Sequence, residues 1–346
     1  MRQKLELQAD RIEAVLNTHR VAARVTGGTV TPRWVRFQLL PAMGTKISKI
    51  RNLDEELAAA LGVRDCRIAR RGATVDVEIP RADPQPVRLL PLFYQMGEEG
   101  VPPATAVLGL AEDGAPLLIR LPSPDVAHVL ISGTTGSGKT VLLQSMVLSL
   151  AMANDEADLS LVLVDPKGYA FQSLAYLPHL ARPIVREASE AGEALNSLLR
   201  LMERRRPGDR PYVIVVIDEL ADLLMVGGKA VQHALTRLAQ RGREAGIHLL
   251  AATQKPTSDV LGPLVKANFP VRLVGKVTSS HDARTASGWS GTGAERLMGR
   301  GDFLAVAAGQ VTRFQAAYVS TEEMQEVSNY LAGSGVKVQL ESTIVH

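Results

Sequence analysis

Eight consecutive residues constrain this chain more than anything else in it. Gly133-Thr134-Thr135-Gly136-Ser137-Gly138-Lys139-Thr140 satisfies G-x-x-x-x-G-K-[ST] at every defined position. An apolar run, His128 to Ser132, reads as a strand before it, and a second, Val141 to Ala151, reads as a helix after it. A strand must therefore deliver a glycine-rich turn to a helix start. The glycines let the backbone curl so that successive N–H groups point at phosphate oxygens, and the helix adds its positive end to the same anion. Lys139 is expected to reach the β- and γ-phosphates, and the Thr140 hydroxyl to coordinate a metal ion. An ordinary strand-to-helix turn needs no Lys-Thr at its end. The cofactors implied are ATP and Mg²⁺.

The surrounding sequence supplies the remaining parts of such a site. Leu161–Val164, Val213–Ile217 and His248–Ala252 are short, nearly continuous apolar runs like Val129–Ile131. Strands buried on both faces read this way, and parallel sheets bury both faces. From about Ala106 the chain is thus expected to form an α/β domain with a mainly parallel sheet. Such sheets bind ligands at the carboxyl ends of their strands. Val213–Ile217 ends in Asp218-Glu219: Asp218 is placed to hold Mg²⁺ through water and Glu219 to act as general base toward the attacking water. Thr253-Gln254 follows another strand, where the Gln254 amide could orient the attacking water or report the γ-phosphate to the rest of the domain. Asp165-Pro166-Lys167 reaches the same edge without an assignable role.

The first hundred residues differ in character. Lys4 to His19 has helical apolar spacing, while Trp34–Leu39 and Ala73–Ile79 alternate as half-buried strands. Asn52 is expected to cap a helix with acidic first-turn residues that Gly62 closes. Pro- and Gly-rich punctuation from Pro84 to Pro103 suggests a boundary. The expected division is a small α+β subdomain over 1–100, a motor domain over 101–333 and a tail over 334–346. The single cysteine, Cys66, excludes an internal disulfide framework and a zinc cluster. No run of about 18 uncharged apolar residues occurs, and the first twenty residues are charged throughout, so a cytoplasmic chain without membrane contact is expected. A net charge of +3 is too small to identify a nucleic-acid partner.

Beyond the phosphate motif, HVLISGTTGSGKT, LVDPKGYA, VIVVIDELADLL, RLAQRGREAGIHLLAATQKP, LVKANFPVRLVGKV and MGRGDFL occur in the order found in FtsK/SpoIIIE-type DNA translocases. RFQLLPAMGTKISKIRNLDEELAAALG followed by VDVEIP is similar to the smaller subdomain of that motor. The resemblance spans about Val21 to Leu331. It implies a RecA-like P-loop NTPase domain preceded by a smaller subdomain, assembled as a homo-oligomeric, hexameric ring around double-stranded DNA, with ATP between neighbouring subunits. Arg243 matches the arginine finger donated in trans. Lys255, Lys266 and Arg284 match basic positions of the DNA-contacting loops, suited to phosphate contacts that carry no sequence information. Where the family has a basic residue, this chain has Ser280; Lys276 or His281 could substitute.

Three departures stand out. The family's membrane region and winged-helix reader are not seen, and Met202-Glu203-Arg204-Arg205 runs almost directly into Pro211-Tyr212-Val213 without a common insertion. An excised motor or a compact relative is expected. Two rivals to DNA translocation are an ATPase powering protein export and a nucleotide-gated scaffold. The intact catalytic set argues against the scaffold, and the single motor domain with basic positions largely kept argues against export.

Overall fold

The computed structural model describes residues 2–96, 101–254 and 268–333. The chain divides into two compact units, one ending at Pro86 and the other beginning at Val87.

The first unit runs α1 (Arg2–Thr18), β1 (Ala23–Val30), β2 (Trp34–Pro41), α2 (Ile47–Arg51), α3 (Asp54–Leu61), β3 (Arg67–Arg71) and β4 (Thr74–Pro80). The strands form an antiparallel sheet in the order β1-β2-β4-β3. Alternation decides its faces: Val35, Phe37 and Leu39 of β2 and Val75, Val77 and Ile79 of β4 join Ile12, Leu16, Ile50 and Leu57 in one apolar core. The intervening Arg36 pairs with Glu78 at 3.2 Å and Asp76 at 3.5 Å. Asn52 does not cap α3 as expected. It closes α2, which sequence reading missed, while Leu53 stands at the α3 N-cap position without a side-chain hydrogen bond. Gly62 closes α3 in the left-handed conformation.

The second unit begins with β5 (Val87–Arg88) and α4 (Leu89–Gln95), then β6 (Thr105–Ala111), β7 (Pro116–Arg120), β8 (Val129–Ser132) and α5 (Lys139–Met152). It continues through β9 (Leu159–Val164), α6 (Ala188–Arg204), β10 (Tyr212–Ile217), α7 (Leu220–Arg241), β11 (Ile247–Thr253) and β12 (Val271–Val274). It finishes with α8 (Ser280–Ser287), β13 (Asp302–Ala307), β14 (Gln310–Tyr318) and α9 (Thr321–Leu331). The division falls before residue 87 rather than near residue 100 because Val87 pairs with Ala317 and Leu89 and Leu92 enter this unit's core.

Its sheet has the order β7-β6-β14-β13-β12-β8-β11-β10-β9, with β5 beside β14. Strands β12, β8, β11, β10 and β9 are parallel, whereas β13, β14, β6 and β7 extend the sheet antiparallel. Both faces are covered, as the continuous apolar runs require. Ile131, Leu163, Val216 and Leu250 pack with the almost wholly buried α5 on one face. Their neighbours Leu130, Val162, Val215 and Leu249 pack with α6 and α7 on the other. Helix α6 buries Ala191, Ala194, Leu195, Leu198, Leu199 and Met202, the stripe of a one-sided helix. Gly228, at φ 62°, kinks α7. Among the described residues no helix is long and apolar enough to cross a membrane.

Candidate nucleotide site

The five parallel strands point their carboxyl ends to one edge, where β8 hands over to the Gly133–Thr140 loop and α5. Two glycines are required there by geometry. Gly133 and Gly138 have φ of 154° and 101°. A Cβ would lie 2.8 Å from Ser137 Oγ at Gly133, and 2.8 Å from the Gly301 backbone nitrogen at Gly138. The loop wraps the Lys139 ammonium, which donates to the carbonyls of Gly133 (2.7 Å) and Thr134 (3.1 Å). Burial lowers the Lys139 pKa, opposed by the nearby Glu219 and Asp218 charges.

Strand β10 ends at Ile217 and so brings Asp218 and Glu219 to the same edge. The Thr140 hydroxyl donates to Asp218 Oδ1 at 3.0 Å. Burial raises the pKa of Asp218, with the Thr140 hydrogen bond opposing. Glu219 is only 3% exposed. The Gln254 backbone N–H donates to both of its oxygens, at 3.1 and 3.2 Å, and the Thr253 hydroxyl bonds it as well. Burial raises the Glu219 pKa more than these bonds lower it. The Gln254 side chain turns toward the loop and accepts from the Thr135 hydroxyl at 2.9 Å. Residues from the ends of three strands, β8, β10 and β11, thus meet in one polar cluster.

The Asp165-Pro166-Lys167 segment, unassigned from sequence, has two parts in the structure. Buried Asp165 accepts from the backbone N–H groups of Gly168 (2.9 Å) and Ala170 (2.7 Å), which fixes the turn after β9. That turn holds Lys167 Nζ 3.3 Å from Asp222 and 3.8 Å from Glu219, so a cation stands over the carboxylate. Its position after an apolar strand was the available signal; its partners lie too far along the chain to be read. The Lys276 carbonyl accepts from Thr134 N at 2.8 Å, so the end of β12 also supports the loop.

The donor set fits a magnesium triphosphate. Thr140 and Asp218 offer two hard oxygens side by side, which suits Mg²⁺ held by few protein ligands and completed by phosphate and water. Among the described residues no cluster of three or more His, Cys, Asp or Glu competes as an all-protein metal cage.

Other expected residues lie elsewhere. Arg243 is exposed in the short turn Gly242–Ala245 that enters β11 at its amino end. The seven residues of β11 put roughly 20 Å between that turn and Gln254. Arg284 is exposed on α8, the helix after β12. Lys255 and Lys266 lie outside the described residues.

A doubly covered parallel sheet with this loop and acid pair at its carboxyl edge defines a RecA-like P-loop ATPase fold. The FtsK/SpoIIIE family model matches residues 95–208 and 206–258, and the FtsK alpha domain model matches 1–81. "DNA translocase FtsK" of Staphylococcus aureus (strain Mu50) is 34% identical over 353 residues, spanning 92% of this chain and 44% of that protein. The protein of the same name from Sporosarcina ureae is also 34% identical, spanning 94% of this chain and 46% of its own length. This chain therefore belongs to the FtsK/SpoIIIE family, and spans less than half the length of those relatives. Among solved structures, the cytoplasmic domain of the Thermomonospora curvata type VII secretion ATPase EccC is 26% identical, with a TM-score of 0.58 over 67% of this chain and 31% of that one. The pCW3 conjugation coupling protein TcpA, solved with ATPγS, has a TM-score of 0.63 at 19% identity over 94% of this chain and 99% of its own, a likeness of fold.

Proposed function

We propose that this chain is a Mg-ATP-driven DNA translocase motor, acting in the cytoplasm as a ring of six identical subunits around double-stranded DNA. The observation that carries the ATPase reading is the 3.0 Å bond between Thr140 of the loop and Asp218 of β10, beside the buried Glu219. When bound, Mg²⁺ neutralises charge on the phosphate oxygens. Thr140 Oγ1 and Asp218 Oδ1 are the oxygens suited to hold it. Lys139, released from the Gly133 and Thr134 carbonyls, reaches the β- and γ-phosphates. Glu219, aimed by the Gln254 N–H, accepts a proton from the attacking water, and its raised pKa makes it a stronger base than an ordinary carboxylate. Gln254, bonded to Thr135, is suited to carry the state of the phosphates to the segment that follows it. Arg243 is too far from its own site to act there and is proposed to serve a neighbouring subunit.

Support for DNA as cargo comes from family membership. The curated relatives match across both units, including the alpha domain, whereas the export ATPase EccC matches 67% of the chain. Lys255, Lys266 and Arg284 are the proposed phosphate contacts. ATP hydrolysis is expected to rise strongly with linear duplex DNA, to lose that stimulation as salt screens the phosphates, and to vanish in Lys139→Ala. An ATPase rate indifferent to DNA in any form and at any salt concentration would remove the DNA reading and favour export.

A further inference from the structure

The nucleotide loop is held from a side that the parallel strands do not reach. The Arg300 backbone N–H donates to the Gly136 carbonyl at 3.0 Å, and the Gly301 N–H to the Ser137 carbonyl at 2.8 Å. In a trans peptide plane the C=O and the following N–H point to opposite sides. Fixing the carbonyls of Gly136 and Ser137 toward this turn therefore aims the N–H groups of Ser137 and Gly138 away from it, into the loop. Ser137 N–H does point inward, donating to the Thr134 carbonyl across the loop at 3.2 Å.

The turn is itself locked by β13 and β14. Gln315 Nε2 donates to the Arg300 carbonyl at 3.1 Å, and the Ala316 N–H donates to the Gly301 carbonyl at 2.7 Å. Asp302 accepts from Met298 N–H at 2.9 Å and forms a buried two-point ion pair with Arg313, at 2.8 and 2.9 Å. The turn packs closely against its neighbours. A Cβ on Gly301 would lie 2.6 Å from Gln315 Nε2, and one on Gly299 would lie 3.3 Å from the Gly136 carbonyl. Arg300 adopts φ 52°, unusual for a side chain of its kind, so the surroundings impose this conformation.

We propose that the Gly299–Gly301 turn is an outer brace of the nucleotide site, and that Gln315 is a positioning residue that sets nucleotide affinity through the Arg300 carbonyl without touching the nucleotide. This rests on the reading of Gly133–Thr140 as the Mg-ATP cradle. It also gives the antiparallel half of the sheet a function, since β13 and β14 hold the loop in its phosphate-binding shape.

The test is Gln315→Met in the full chain, nearly the same size but unable to donate. Loss of one hydrogen bond to a loop that binds substrate and transition state alike should raise KM for ATP, and Kd for a fluorescent ATP analogue with Mg²⁺, about three- to tenfold. The kcat at saturation should stay near wild type. Hydrogen exchange of the nucleotide-free chain should accelerate in the 133–140 segment and stay unchanged in β9 and β10. Wild-type KM, Kd and loop exchange in Gln315→Met overturn the brace. Should that variant also lower the melting temperature of the nucleotide-free chain, Gln315→Lys, which retains a donor, decides. A KM restored toward wild type supports the brace, and one as high as in Gln315→Met overturns it. Lys139→Ala separates the two readings. If the unaltered chain binds nucleotide no better than Lys139→Ala, the cradle reading fails; if it binds and Lys139→Ala does not, a normal Gln315→Met sinks the brace alone.

Discussion

Glu219→Gln isolates the chemistry from the architecture. The carboxylate is 3% exposed, and both oxygens accept from Gln254 N–H, at 3.1 and 3.2 Å. Glutamine keeps the shape and one carbonyl acceptor for that N–H, so the strand end should keep its place. What disappears is a site for the proton of the attacking water. General-base assistance is worth about 10²–10⁴ in rate, or roughly 2.7–5.4 kcal/mol of barrier. The substitution also removes a negative charge beside the triphosphate, so nucleotide should bind as tightly as to wild type or somewhat more tightly. Steady-state phosphate release and equilibrium binding of a fluorescent ATP analogue, on one preparation, should therefore separate: turnover down at least about a hundredfold, Kd not weakened. The same substitution has a pH signature. Burial holds the folded-state pKa of Glu219 above its ordinary value, so ionising it costs folding energy once pH rises above that value. The nucleotide-free variant should be more stable than wild type at neutral pH, with the difference shrinking as pH falls through the raised pKa. A rate loss below tenfold would refute the base assignment, and an equal loss of binding would show that Glu219 holds the cradle rather than the water.

Two further outcomes follow from the same geometry. Gly138→Ala puts a Cβ 2.8 Å from Gly301 N at a φ of 101°; it should cost about 1–3 kcal/mol in thermal unfolding and weaken nucleotide binding, and wild-type binding would contradict the packing described. The buried His128 and His248, pushed down to about 3 and about 4 chiefly by desolvation, are neutral in the fold but take up protons on unfolding near 6.5. Their contribution is complete above about pH 6.5 and is lost as pH falls toward 4 for His248 and toward 3 for His128. Stability should drop over that window by up to about 1.4 kcal/mol per pH unit for each histidine, and His128→Asn should flatten the slope seen in acid melts.

The second unit's parallel half was legible in the residue pattern, and the residues proposed for its site were already named by it. Runs such as Val213–Ile217 fit a strand covered on both faces, and Gly133–Thr140 fits a phosphate-cradling turn, because each pattern is local and has few physical solutions. The antiparallel half was not read: β6, β7, β13 and β14 draw their identity from partners, as when Phe314 pairs with both Ala111 and Phe303. Asn52 misled for a related reason, since the same residue type that caps a helix start here closes the helix before it. The division of the chain at residue 87 likewise depended on where Val87 found a partner.

Which of these residues meet depends on the folded chain. Thr140 and Asp218 are 78 positions apart and bonded, and Lys167 reaches Glu219 across the end of β9. Arg243, drawn from a string next to Gln254, stands at the far end of the strand between them. The physical reason is that a parallel sheet gathers the ends of strands that are distant in sequence, while a strand separates residues that are close. Motifs name the groups, and the strand order chooses their neighbours.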